Sequence, residues 1–339
     1  MSSIQRHLEG LLGGMLLEYG SRTLLQKAKM IKRQVTVRSG LIMHYYERLP
    51  DVTLASDDDD PPILLLCHGL TSNAKNWSKT VSQLSPEVGN NYRMIIPDML
   101  GHGHDLERAR TSTFSYPSPA KLVDSLEQLL EALHVTHCVG YGISQGGAMV
   151  YFLQQKRPDL VERSILISPA VEAVVDPQFA EEFVLRKKNH VCVESREDVR
   201  ELFQNLSCPQ RKVHDPIPLF LLEAIWRDRQ AEEPPGHFRT FLHTLIDHAG
   251  KDPEWLGCKS DIDPEAKRLV VWPQDDFICN HDKGKQFFAK SSANTTFHSV
   301  PDCGHLFHSN GKRIMEVILP MVIAYLKSGE DAESVALEQ

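Results

Sequence analysis

Apolar residues follow two rhythms along this chain. Short unbroken apolar runs alternate with longer stretches in which apolar positions return every three or four residues. The first rhythm predicts strands at 63–67, 92–96, 137–141, 164–168, 268–272 and 295–300; Ile63-Leu64-Leu65-Leu66-Cys67 reads as a strand buried on both faces. The second predicts helices at 74–84, 119–133, 148–157, 281–290 and 312–327. In the helix at 119–133, Leu122, Leu126, Leu129, Leu130 and Leu133 share one face. Pro158 stops one of these helices, and Pro320 should kink the last. Two further strand-like runs, 34–38 and 41–47, are joined by Ser39-Gly40, a hairpin signal. A hairpin followed by alternating strands and helices predicts the α/β class: one mostly parallel sheet with helices on both faces, spanning 34–170 and 263–327.

Three stretches break the alternation. Residues 171–262 are helical in pattern, with aromatic clusters around Phe183, Phe220 and Phe238. The stretch is too long for an ordinary connection and reads as a helical cap over the carboxyl ends of the strands. Its apolar run at 216–222, followed by Ile225 and Trp226, is either packing or a lid edge that faces lipid. Residues 1–33 place Ile4, Leu8, Leu11, Leu12, Met15 and Tyr19 on one helical face, ahead of the basic run at 27–33. That pattern fits an interfacial membrane helix with a cationic anchor, and equally a helix docked on the body or on a second subunit. Residues 328–339 form an acidic tail and Asp57 to Asp60 a charged loop tip.

Composition narrows the classes. The chain has 339 residues, 41% hydrophobic and 24% charged, enough for a packed core. A net charge of −8 argues against a nucleic-acid partner. The seven cysteines form no C-x-x-C pair, and the segment from Leu11 to Leu17 is too short and glycine-interrupted for a secretory leader. The expectation is an intracellular protein, cytoplasmic or held peripherally at a membrane, with no membrane span.

The candidate chemistry gathers at the strand ends. Gly142-Ile143-Ser144-Gln145-Gly146 lies between a strand and a helix, the context in which G-x-S-x-G presents a nucleophile. A Cβ at Gly142 or Gly146 should collide with the neighbouring helix or strand. A serine nucleophile needs a base and an orienting acid, in the order Ser, Asp or Glu, His. Asp275-Asp276 follows the strand ending at Trp272, and Gly304-His305 follows the last strand. Asp276 is favoured over Asp275, and His305 over His308. The backbone N–H groups of Gln145 and of Leu70, in the turn after His68-Gly69, are candidates for an oxyanion hole. Asp98 reads as fixing the Gly101-His102-Gly103 loop. The His102 and His104 spacing lacks any further ligand pattern, so neither metal nor cofactor is expected.

These motifs together resemble the α/β-hydrolase superfamily over nearly all of 34–327, on Leu66-Cys67-His68-Gly69-Leu70, Asp98 to Gly103, Gly142 to Gly147, Trp272 to Asp276 and Gly304-His305. Within it the chain looks like the monoacylglycerol lipases and their membrane-associated α/β-hydrolase-domain relatives, through the Trp77 helix, the cap and the N-terminal apolar segment. The resemblance implies an α/β-hydrolase fold with an eight-stranded, mostly parallel sheet and an inserted helical cap. It implies Ser144 as nucleophile, Asp276 as acid, His305 as base, and Leu70 and Gln145 as oxyanion hole. Three residues depart from the pattern: Gln145, where these lipases often have Met or Leu; Pro273, where Gly is usual; and Asp105, where a small hydroxyl residue is common. The serine excludes the branches that use an aspartate nucleophile. The expected function is hydrolysis of carboxylic esters of lipids, most of all monoacylglycerols, with peripheral membrane contact. The same residues would also serve a thioesterase, a carbon–carbon hydrolase or an esterase of small soluble substrates. A non-catalytic binding module is the expectation from another class.

Overall fold

The structure, a computed structural model, describes residues 3–51, 61–89, 91–109, 114–171, 195–199, 223–224, 226, 236–248, 265–290, 294–305 and 314–328. The aromatic clusters at Phe183 and Phe220, the run at 216–222, Asp57 to Asp60, His308 and residues 329–339 of the tail lie outside them.

Eight strands form one sheet: β1 (Ile31–Thr36), β2 (Ile42–Arg48), β3 (Ile63–Cys67), β4 (Arg93–Pro97), β5 (Cys138–Ile143), β6 (Val161–Ile167), β7 (Lys267–Pro273) and β8 (Thr295–Val300). Their order is β1-β2-β4-β3-β5-β6-β7-β8. β2 is antiparallel to both β1 and β4, and every other pairing is parallel. Every residue of β3 and β5 is buried, as central strands covered on both faces require.

The helices are α1 (Ser3–Lys27), α2 (Ser78–Val88), α3 (Leu106–Ala109), α4 (Pro119–Ala132), α5 (Gln145–Lys156), α6 (His237–His248), α7 (His281–Phe288) and α8 (Leu319–Lys327). Two cores result, one on each face of the sheet. Leu126 of α4, Val150 of α5 and Phe288 of α7 pack with Leu65 and Cys67 on one side. Leu25 of α1, Val81 of α2 and Val322 of α8 pack with Leu64 and Leu66 on the other. Successive β3 residues therefore feed opposite cores. α6, the longest described helix of the 171–262 stretch, adds Phe238 and Phe241 to the first core.

Three points of the expected organisation come out in more detail, and one of them is a correction. The first strand begins at Ile31, not Gln34, so the basic run at 27–33 is divided between the end of α1 and β1. β1 is an edge strand whose residues are mostly exposed, so Lys32 and Arg33 extend the pairing to Tyr46 and Tyr45 without being buried. The stretch around Pro320 is not one uniform α-helix. A π turn over Ile314–Ile318 precedes the proline, and Pro320 stands in the first turn of α8, where its missing N–H leaves no gap. Third, of the two readings of the first helix, the structure shows α1 packed on α2 with Gly10, Gly13 and Leu25 buried, while Leu8, Leu12 and Met15 are exposed.

Candidate active site

Ser144 stands at the turn from β5 into α5 with φ 53° and ψ −120°, a conformation that few non-glycine residues adopt. Its own peptide is pinned there. Ser144 N–H donates to Ile167 O at 2.9 Å, and Ser144 O accepts from Ala170 N at 2.9 Å and from Ala148 N at 3.0 Å. The flanking glycines make room for the turn. A Cβ on Gly142 would meet Gly146 O, and one on Gly146 would meet Cys67 O at the end of β3. The serine hydroxyl is thereby lifted off the sheet at the start of a helix.

The loops after β7 and β8 carry the acid and the imidazole, and backbone bonds hold the two loops in register. Gln274 N–H donates to Val300 O at 2.9 Å and Asp275 N–H to Cys303 O at 3.1 Å. Trp272 Nε1–H closes the first loop by donating to Cys279 O at 2.9 Å. Within that loop the Asp276 side chain is fully buried, whereas Asp275 is only half-buried. Asp276 Oδ1 accepts from Ile278 N at 2.9 Å and Cys279 N at 2.8 Å. Its Oδ2 accepts from His305 Nδ1 at 2.8 Å. That bond sets the tautomer and leaves His305 Nε2 as the acceptor facing the Ser144 hydroxyl, at 2.9 Å. The structure thus joins Ser144, His305 and Asp276 in one chain of hydrogen bonds, drawn from the ends of three strands.

The loop after β3 runs beside the serine: a Cβ on Gly69 would lie 3.4 Å from Ser144 Cβ. This brings the Gly69–Leu70 peptide next to Ser144, and Gln145 opens α5, where first-turn N–H groups have no intrahelical acceptor. His68 locks the β3 loop. Its Nδ1–H donates to Gly69 O at 2.9 Å, and its Nε2 accepts from Met99 N at 3.1 Å. Burial holds the imidazole below its ordinary pKa, so it is neutral and suited to this split of donor and acceptor.

Asp98 braces the next loop. It accepts from Ala74 N at 2.8 Å, from His104 N at 3.2 Å and from His104 Nδ1 at 2.6 Å. Burial alone would raise this carboxyl, but the bonds from His104 and Ala74 outweigh it and hold it below the usual carboxylate range. Asp105, whose departure from the family pattern had no evident consequence in the sequence, accepts Gly101 N–H at 2.6 Å. His102 packs against Phe238 and Phe241 of α6, and His237 donates from Nε2 to Gly101 O at 2.8 Å, so α6 is fastened to this loop.

Two features had no clear signal in the sequence. The Gln145 side chain is buried, and neither of its amide atoms has a hydrogen-bond partner among the described residues. The Cys279 thiol lies beside Asp276 and His305; burial first, and then the Asp276 carboxylate, push it well above the ordinary thiol range, so it stays protonated. Asp276, Cys279 and His305 have ligand-type atoms within 4.8 Å of one another, but the carboxylate and imidazole are already bonded to each other.

Among curated proteins the chain is 32% identical over 108 residues to an uncharacterized protein of Mycobacterium bovis, a match covering 32% of this chain and 29% of that one. The chain thus spans under a third of that relative's length. It is 25% identical over 255 residues to a 2-hydroxy-6-oxo-6-phenylhexa-2,4-dienoate hydrolase of Burkholderia cepacia, covering 71% of this chain and 80% of the relative. Among solved structures it superposes on a membrane phospholipase A, a bacterial virulence factor, with TM-score 0.74 and 18% identity, covering 95% of this chain and 93% of the other; this likeness concerns the fold. The sequence profile of the alpha/beta hydrolase fold matches residues 62–312, from the start of β3 to beyond His305, and the chain belongs to that family.

Proposed function

We propose that this protein is a serine hydrolase that cleaves carboxylic esters of lipids, monoacylglycerols first among them. The observation that carries the reading is the hydrogen-bond chain from Ser144 Oγ through His305 to the buried Asp276 carboxylate. His305 Nε2 takes the hydroxyl proton as Ser144 attacks the ester carbonyl. Asp276 holds the ring in the tautomer that leaves Nε2 free and stabilises the imidazolium once it forms. The N–H groups of Leu70 and Gln145 receive the charge that develops on the carbonyl oxygen. The imidazolium returns its proton to the departing alcohol, and water releases the acyl group by the same steps in reverse. The high pKa of Cys279 favours serine over a thiolate as nucleophile.

The lipid ester class draws on the resemblance to monoacylglycerol lipases and the fold-level likeness to a membrane phospholipase. A second reading, hydrolysis of a small soluble oxo-acid, is favoured by the Burkholderia relative, whose match is spread over most of both chains. Labelling with a fluorophosphonate probe, compared between wild type and Ser144→Ala, tests the nucleophile. A panel of monoacylglycerols, short esters, acyl thioesters and dienoate oxo-acids then separates the substrate classes. Turnover of the oxo-acid alone would replace the lipid reading.

A further inference from the structure

We propose that α1 is a docking element for an anionic phospholipid surface, laid into the bilayer interface by the side of the helix that faces away from the body. Eleven large apolar side chains are exposed among the described residues, and seven of them lie on α1, where scattered ones would be unremarked. Leu8, Leu11, Leu12, Met15, Leu16 and Tyr19 fall within an arc of about 140° at 100° per residue. Met15 is 70% exposed and Tyr19 71%. The buried positions Gly10, Gly13, Leu25 and Ala28 occupy the opposite arc. The helix is therefore apolar on both sides. Its small side meets α2, and its large side is exposed among the described residues. The leucines that would ordinarily form a core contact are left pointing outward.

Charge selects the occupant. From Tyr19 to Thr36 the chain carries Arg22, Lys27, Lys29, Lys32 and Arg33 and no acidic residue. Lys29 pairs with Asp51 and Arg33 with Glu47. Arg22, Lys27 and Lys32 are exposed, and no ion pair engages them among the described residues. A wide apolar face that ends in unneutralised cations matches a surface of acyl chains beneath anionic headgroups. No helix among the described residues is long and apolar enough to cross a membrane, so the contact is interfacial.

The position of α1 gives the contact a use, and here the inference rests on the lipid-ester reading. Lys75 pairs with Glu18 at 2.9 Å, fastening α1 to the turn that follows His68-Gly69-Leu70 at the catalytic edge of the sheet. About 20 Å of helix precedes Glu18 at 1.5 Å per residue. Bedding that length in a bilayer brings the Ser144 edge close to the surface where long-chain esters reside.

The test is co-sedimentation of the full chain with vesicles of phosphatidylcholine alone and of phosphatidylcholine with phosphatidylglycerol. Wild type is expected to bind the mixed vesicles more tightly. The double variant Leu12→Asp/Met15→Glu should bind them about tenfold more weakly or worse, since each change removes a large apolar side chain from the contact. Arg22→Glu/Lys27→Glu should lose the preference for anionic vesicles while keeping the weaker binding to neutral ones. All four positions are exposed, so circular dichroism and hydrolysis of a short soluble ester should match wild type in both variants. Absence of vesicle binding by wild type, or undiminished binding by the apolar variant, overturns the proposal. So does a wild-type dimer in sedimentation equilibrium that the apolar variant converts to monomer without any vesicle binding, since a second copy then covers the face. Vesicle binding without fluorophosphonate labelling would instead overturn the hydrolase reading and leave this contact standing.

Discussion

Asp276 reaches His305 with one carboxylate oxygen and spends the other on the N–H groups of Ile278 and Cys279, so the acid is oriented by its own loop. Asp275, its neighbour, has its backbone N–H on Cys303 O and is only half-buried, while the carboxylate bonded to His305 is that of Asp276. Asp276→Asn should lower kcat on the order of 10⁴-fold by offering His305 the wrong partner. Asp275→Asn, which keeps the backbone bond, should cost less than about tenfold. Steady-state rates of the two variants on one ester check this, and the reverse ranking would move the acid by one residue.

Ser144 occupies a backbone conformation suited to glycine and is held there by three backbone bonds. Strain of this kind costs about 1–3 kcal/mol. Ser144→Gly should therefore abolish turnover while raising Tm, and Ser144→Ala should abolish turnover with little change in Tm. Calorimetry on the three proteins reads the difference. A glycine variant less stable than wild type would mean that the turn carries no strain.

The Gln145 side chain is buried with its amide unpartnered among the described residues, a burden of about 1–3 kcal/mol. The role assigned to Gln145 belongs to its backbone N–H, which any side chain leaves in place. Gln145→Met should raise stability by about 1 kcal/mol or more and keep kcat within a few-fold, since Met is apolar and of similar length. Chemical denaturation alongside ester kinetics measures both. A large fall in kcat at unchanged stability would assign the amide itself to substrate.

The apolar rhythm exposed the central strands because burial on both faces leaves polar residues no place there. β3 through β8 accordingly fall within a few residues of their predicted positions. β1 was harder to read, because an edge strand admits Lys32 and Arg33 without penalty, so its start merges with the basic run at 27–33. The sequence leaves the orientation of α1 open between a face turned outward and a face docked on the body. Leucines on one face ordinarily mean a core contact, and only the folded arrangement reveals that the glycine side approaches the body. At the site, order and spacing pointed to Ser144, Asp276 and His305, which the fold brings together. The bracing residues His68 and Asp105 were hidden, since a histidine or aspartate after a strand looks the same whether it braces a loop or faces water.

Burial holds His68, His102 and His237 below the ordinary imidazole pKa, His102 furthest. Their rings lie where β3 and β4 end and where α6 is fastened. His102 faces His68, His237 and Asp98. A folded pKa below the unfolded one means that the unfolded chain binds more protons. Stability is then full above the unfolded value and is lost as the pH falls through it. Tm should decline below about pH 6.5 as each neutral ring resists protonation in the folded state. His102→Phe should make that decline shallower by about one proton, as read from the slope of unfolding free energy against pH. An unchanged slope would remove His102 from the acid response.

His68 connects the loop beside Ser144 to the loop after β4, donating to Gly69 O and accepting from Met99 N–H. It touches neither the serine nor, in the proposed reaction, the substrate. Its effect must pass through the Gly69–Leu70 peptide, whose N–H at Leu70 has to point at the developing oxyanion. His68→Ala leaves Met99 N–H buried without its acceptor and releases the carbonyl that sets the peptide plane, so stability should fall by about 1–3 kcal/mol. Catalysis should fall separately. A misaimed donor weakens transition-state binding more than ground-state binding, so kcat should drop about 10²-fold while KM changes little. His68→Asn, which retains a short acceptor and donor, should recover part of both losses. The rate of fluorophosphonate labelling supplies an independent measure, because that reaction also develops charge on an oxygen in the same place. If His68→Ala lowers Tm but labels as fast as wild type, His68 is a packing residue and the Leu70 N–H is aimed by something else.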